Sequence, residues 1–99
     1  MVDAELIERF ETPLAEGAIA HFVIWRVPHA VRGSSHEFKY RLAFVVDGIC
    51  VLRYDNEAGK GDHRHVGEQE ERYDFIDIPT LRRDFIVDAQ RWLRANSRG

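Results

Sequence analysis

Phe38-Lys39-Tyr40-Arg41-Leu42-Ala43-Phe44-Val45-Val46-Asp47-Gly48-Ile49-Cys50-Val51-Leu52-Arg53-Tyr54 is the stretch that sets the fold. Two runs rich in β-branched and aromatic residues flank Asp-Gly, the dipeptide that tolerates positive φ at both centres of a two-residue type I′ turn. The spacing predicts a hairpin of Phe38–Val46 and Ile49–Tyr54. Counted outward from Val46/Ile49, a regular register opposes Phe44 to Val51, Leu42 to Arg53 and Tyr40 to Asp55 on one face. The other face then takes Val45/Cys50, Ala43/Leu52, Arg41/Tyr54 and Lys39/Asn56.

Upstream, residues 18–28 alternate, with His21, Val23, Trp25 and Val27 on one side and Ala20, Phe22, Ile24 and Arg26 on the other, a strand that Pro28 stops. Residues 4–10 suit a short helix or a strand, the strand being preferred, Pro13 and Gly17 read as a turn, and Pro28–His36 as a loop of about nine residues, long enough to carry a substrate contact. Downstream, Asp55–Asp62 reads as a polar, glycine-bearing loop, His63–Val66 as a short strand and Arg72–Ile78 as the last strand. The period then changes. Leu81, Phe85, Ala89 and Trp92 form an i, i+4, i+8, i+11 stripe, and Pro79 suits the first turn of an amphipathic helix ending near Asn96. Strands first and one helix last give a single α+β domain over residues 1–99, an antiparallel meander covered on one face by the helix.

Composition bounds the function. In 99 residues, 44% are apolar, 11% aromatic and 31% charged, which suits one hydrophobic core and excludes disorder. Net charge is -3, but unevenly placed: -4 over residues 1–17, +3 over 18–54, -5 over 55–77 and +3 over 78–99. A polyanion responds to such local basic surface rather than to the total. The single cysteine, Cys50, lies in an apolar run and reads as structural, so no disulfide framework is expected. No apolar stretch reaches the roughly 20 residues of a membrane span, and acids stand where a signal peptide is basic; a cytoplasmic protein is expected. Trp25, Trp92, Phe85 and Phe44 are expected in the core. Arg82, Arg83, Arg91 and Arg94 are expected on a solvated helix face, and Asp88 either faces a polar group such as Arg41 or, the preferred reading, lies at the edge of the apolar stripe.

The chemistry concentrates at Asp55, Asp62, His63 and His65. On an extended chain the i, i+2 spacing of His63 and His65 points both imidazoles to one side. Two readings follow. Either the imidazoles and a carboxylate chelate a divalent ion, or a histidine acts as general acid or base in phosphodiester cleavage with Lys39, Arg41 and Lys60 stabilising the charge. The second needs no metal or other cofactor.

His36-Glu37-Phe38-Lys39-Tyr40-Arg41-Leu42, then Arg53-Tyr54-Asp55-Asn56, then Gly59-Lys60-Gly61-Asp62-His63-Arg64-His65 resemble the signature of the TumE family of toxins. Val23–Pro28 and Leu81-Arg82-Arg83-Asp84-Phe85 agree with it, so the resemblance spans most of the chain. It implies a bacterial toxin neutralised by a cognate antitoxin, the latter with a helix-turn-helix domain. By analogy with other small toxins it implies RNA cleavage or interference with translation. On that basis His63, His65, Asp55 and Arg41 are the expected catalytic residues of a metal-independent endoribonuclease, with Lys39, Tyr54, Asn56, Lys60 and Arg64 around the substrate. A homodimer stays open. The rivals are a binding module without catalysis, docking through the same polar edge or by strand addition, and a metal-dependent hydrolase using the His-x-His pair.

Overall fold

A computed structural model of the chain describes residues 3–96. Six strands follow one another in sheet order, β1 (Glu5–Ala15), β2 (Ala18–Arg26), β3 (Phe38–Val46), β4 (Ile49–Glu57), β5 (Gly61–Val66) and β6 (Gln69–Arg72), each antiparallel to the next. One helix, α1 (Ile78–Ala95), lies across one face of this open meander. The architecture is the α+β sheet-and-helix arrangement that the sequence predicts. Among the described residues no helix is long and apolar enough to cross a membrane.

Each element has a local cause. Asp47 (φ 50°) and Gly48 (φ 81°) both take the left-handed region, as the type I′ turn requires. Asp77 caps α1, its carboxylate accepting from Thr80 N at 2.8 Å, and Pro79 occupies the first turn. Ala20, Phe22, Ile24, Tyr40, Leu42, Phe44, Leu52 and Tyr54 line the sheet face that meets Leu81, Phe85 and Ala89. Burying one such large side chain contributes roughly 1.5–3 kcal/mol. Phe85 sets its ring edge against both Phe22 and Tyr54, and Trp92 against Phe44. Arg82 leaves the solvated helix face and holds Glu8 of β1 through two hydrogen bonds.

The hairpin register departs from the regular count. Val46/Ile49 and Val45/Cys50 pair as expected, but a bulge follows, and Phe44 then opposes Leu52, Leu42 opposes Tyr54 and Arg41 opposes Asp55. The extra residue is Val51. Burial is the reason: the bulge brings Leu52 and Tyr54 onto the helix side, where they are 2% and 1% exposed, and turns Arg53 and Asp55 to the other side.

Other boundaries also shift. Asp55 and Asn56 belong to β4 rather than to a loop, which shrinks to a turn at Ala58–Lys60. The last strand is β6, which shares only Arg72 with the expected Arg72–Ile78, and residues 73–77 only lead into the Asp77 cap. Trp25 does not join the helix-covered core; it stands half-buried on the open face with the Arg9 guanidinium 5.8 Å above its ring.

Candidate functional site

The bulge decides what the open face carries. With the register shifted, Arg41, Asp55, His63 and Arg72 are directly opposed across β3, β4, β5 and β6 and form one cross-strand row. The neighbouring row holds Ala43, Arg53, His65 and Glu70. Antiparallel partners share a face, so both rows point away from α1.

Asp55, His63 and His65 converge within these rows, their ligating atoms all within 4.8 Å of one another. Asp55 is 6% exposed and His63 3%. His63 Nδ1 donates to Gly61 O at 3.0 Å, and its Nε2 lies 2.9 Å from Asp55 Oδ1. Arg53 Nε stands 3.0 Å from Asp55 Oδ2, and its Nη2 donates to His65 Nε2 at 3.0 Å. His65 Nε2 lies 4.0 Å from Asp55 Oδ1. Burial, and next the Arg53 guanidinium, lower the affinity of His65 for a proton, outweighing Glu70, so the imidazole is held toward its neutral form. Close as these atoms are, Arg53 Nε, Asp55 Oδ1 and His63 Nε2 are buried without a hydrogen bond of acceptable geometry.

At both ends of the first row stand exposed cations. Arg41 and Arg72 are exposed, and among the described residues neither enters an ion pair. At the Arg72 end a cavity of about 440 Å³ is lined by Lys60, Asp62, His63, Glu70, Glu71 and Arg72. Burial alone raises the Glu70 carboxyl, but Lys60 and His65 together pull it below its ordinary range, so it stands ionised at the cavity wall.

The expected site residues thus divide between the two faces of the sheet. His63, His65, Asp55 and Arg41 come together on the open face, with Lys39 bonded to Asn56 O nearby and Lys60 3.4 Å from Glu70. Tyr54, Asn56 and Arg64 project to the helix side. There Tyr54 donates its hydroxyl to Asp88, which Arg64 also meets at 2.5 Å while reaching Glu71. Asp88 therefore faces polar partners rather than merely closing the apolar stripe. Asn56 is fully buried, donating to Phe38 O and accepting from Tyr40 N.

Sequence reasoning missed a second polar hub on that side. Asp62 accepts from Ser34 Oγ at 2.5 Å, His36 at 2.7 Å and Tyr40 Oη at 2.7 Å, and the His36 ring stacks on Phe75 at 3.8 Å. This hub ties the Pro28–His36 loop to β5. Burial, then the Asp62 bond, push the Tyr40 hydroxyl far up. Arg53, Glu70 and Arg72 were missed as well. The i, i+2 signal that exposes a His pair has no counterpart for residues joined only by register.

No curated protein and no solved structure matches the chain. A model of the family described as Toxin TumE matches residues 2–93 of the 99. That match covers every strand and nearly all of α1, including the two rows described above. The chain belongs to the TumE family of toxins, and as such it is the toxin component of a toxin–antitoxin system whose partner is a cognate antitoxin.

Proposed function

We propose that this toxin acts on RNA, as an endoribonuclease, at the open face of its sheet. The observation that carries the reading is the row Arg41–Asp55–His63–Arg72, a buried acid–imidazole pair between two exposed arginines. Three inter-strand spacings separate the arginine backbones, about 14 Å, a span that side-chain reach narrows to neighbouring phosphates of a single strand.

The reaction class is transesterification. The ribose 2′-oxygen attacks its own 3′-phosphorus, the bond to the 5′-oxygen breaks, one proton leaves the 2′-oxygen and one reaches the 5′-oxygen. Arg41 and Arg72 hold phosphates and offset the charge on phosphorus; the Asp55–His63–His65 cluster handles the proton and the reacting oxygens. Tyr54, Asn56 and Arg64, on the far side of the sheet, support the face rather than contact RNA.

The test is induction of the chain and of an Arg41→Ala/Arg72→Ala double variant, with growth, total RNA and circular dichroism followed together. Wild-type arrest accompanied by fragments ending in 2′,3′-cyclic phosphate, both reduced in the folded variant, supports the reading. Arrest over intact RNA, or a variant that cleaves as well as the wild type, removes it.

A further inference from the structure

Asp55, His63 and His65 pose a problem in hydrogen bonding. His63 Nδ1 donates to Gly61 O, and its Nε2 lies 2.9 Å from Asp55 Oδ1 without the alignment of a hydrogen bond. Both atoms are buried, and neither has another hydrogen-bond partner. Buried polar atoms left in this way in a folded protein need a specific cause, an ion among them. His65 presents its own Nε2 to the same point, with Nδ1 turned toward Glu70 Oε2 at 3.8 Å.

From this convergence we infer that His63 Nε2, His65 Nε2 and Asp55 Oδ1 form the protein face of a divalent transition-metal site, zinc being the ion the donor set suits. Two imidazoles and one carboxylate leave coordination positions open for water or a phosphoryl oxygen. The outer contacts also fit. A ligating imidazole ordinarily gives its other N–H to a carbonyl or carboxylate; Gly61 O takes that place for His63, and Glu70 Oε2 lies 3.8 Å from His65 Nδ1, one side-chain adjustment from it. A tetrahedral centre with bonds of about 2.1 Å sets its ligand atoms roughly 3.3 Å apart. The two separations from Asp55, 2.9 Å and 4.0 Å, bracket that figure, and with all three ligand atoms within 4.8 Å of one another a rotation of His65 toward His63 closes the site.

Arg53 is the competing cation. Its guanidinium lies against Asp55 Oδ2 and His65 Nε2, and at 30% side-chain exposure it has room to swing outward when an ion enters. His63 lines the neighbouring cavity, which supplies the route. The ion site stands on its own geometry; only its use in cleavage rests on the RNA reading.

The experiment titrates Zn²⁺ into chelator-treated, tag-free full chain by calorimetry, with Co²⁺ absorption as a second readout. One ion per chain is expected, with micromolar or tighter affinity and visible Co²⁺ bands. Asp55→Asn and His65→Ala should each weaken binding by more than about tenfold, with circular dichroism unchanged. Arg53→Gln should strengthen it, and His36→Ala, at the other His–carboxylate contact, should leave it alone. Absence of saturable binding, indifference to Asp55→Asn and His65→Ala, or weaker binding by Arg53→Gln overturns the inference. RNA cleavage measured on the same samples separates the two proposals. Zinc bound without cleavage leaves the ion site and removes the RNA reading, and cleavage by a chain that binds no zinc does the reverse.

Discussion

His63 stands directly opposite Asp55 on the adjacent strand, its Nε2 2.9 Å from Asp55 Oδ1, and both side chains are more than nine-tenths buried on a face that no helix covers. Long neighbours, Arg53 and Glu70 among them, exclude water from an otherwise open sheet. A charge held there is weakly screened, which raises both the cost of leaving it without a partner and its strength toward a reacting group.

Removing one member should therefore cost more than removing both. Asp55→Ala leaves Arg53 and His63 facing each other without the carboxylate, and should destabilise the fold by about 3–5 kcal/mol. Asp55→Leu combined with His63→Phe should recover part of that loss. Urea unfolding of the two singles and the double, read as a cycle, measures the coupling; simple additivity would show that the pair does not interact.

Deleting Val51 should leave the fold intact, because it is the bulge residue with no partner on β3. Without it a regular ladder counted from Val46/Ile49 pairs Phe44 with Leu52, Leu42 with Tyr54 and Arg41 with Asp55, the pairing already present, and leaves Arg53 and Asp55 on the open face. Val51→Thr, which keeps the residue count, should fold with a loss of about 1 kcal/mol or less. Circular dichroism and a thermal melt follow both variants, and a deletion variant that fails to fold would mean that the register is not fixed by the burial of Leu52 and Tyr54.

That bulge also marks where the sequence stops being readable. The Asp-Gly turn and the i, i+4 stripe of α1 are local signals, and the hairpin, the helix and the meander follow from them. Val51 sits among β-formers with no glycine to announce an inserted residue, so the regular count places Tyr54 beside Arg41 and misassigns one face. His63 and His65 remain legible, because alternation within one strand needs no register. Arg72 and Arg53 enter the site only through pairing. β6, all four residues exposed, has no apolar alternation to reveal it. Ser34 and Asp62 lie 28 residues apart, a contact for which no local pattern exists.

At alkaline pH the three tyrosines should act together. Burial first, and hydrogen bonds to Asp62, Asp88 and Asp84 next, raise the hydroxyls of Tyr40, Tyr54 and Tyr73 well above their ordinary value of 10.0. A raised pKa favours the protonated form in the folded state. The stabilisation is complete below pH 10 and is lost as pH climbs from there toward the folded values. For the fully buried Tyr40 and Tyr54 the loss approaches 1.4 kcal/mol per pH unit each. A Tyr40→Phe/Tyr54→Phe variant should show a shallower decline in urea-unfolding stability between pH 10 and 11, whatever its stability at pH 7. Equal slopes would mean that both hydroxyls titrate in the folded protein as they do in the unfolded chain.

The Asp62 hub makes a different prediction, because it binds a loop rather than a core. Ser34, His36 and Tyr40 all converge on one carboxylate, and the chain also closes by Val27 N to Glu37 O and Gly59 N to Arg32 O. Gly33 and Gly61 pack backbone to backbone at positive φ; a Cβ on Gly33 would stand 2.7 Å from Gly61 N, so glycine is required there. Asp62→Ala strands three donors, each costing about 1–3 kcal/mol if it stays buried. The loop can escape that cost by opening, since it leads away from the sheet between β2 and β3. Amide exchange should therefore accelerate at Val31–His36 far more than in β3 or α1, with global stability falling by less than the three costs combined. Uniform acceleration across the chain would place the hub within the cooperative core. Acceleration confined to the loop would identify it as the latch that holds residues 28–36 against β5, on the opposite side of the sheet from the Asp55–His63 pair.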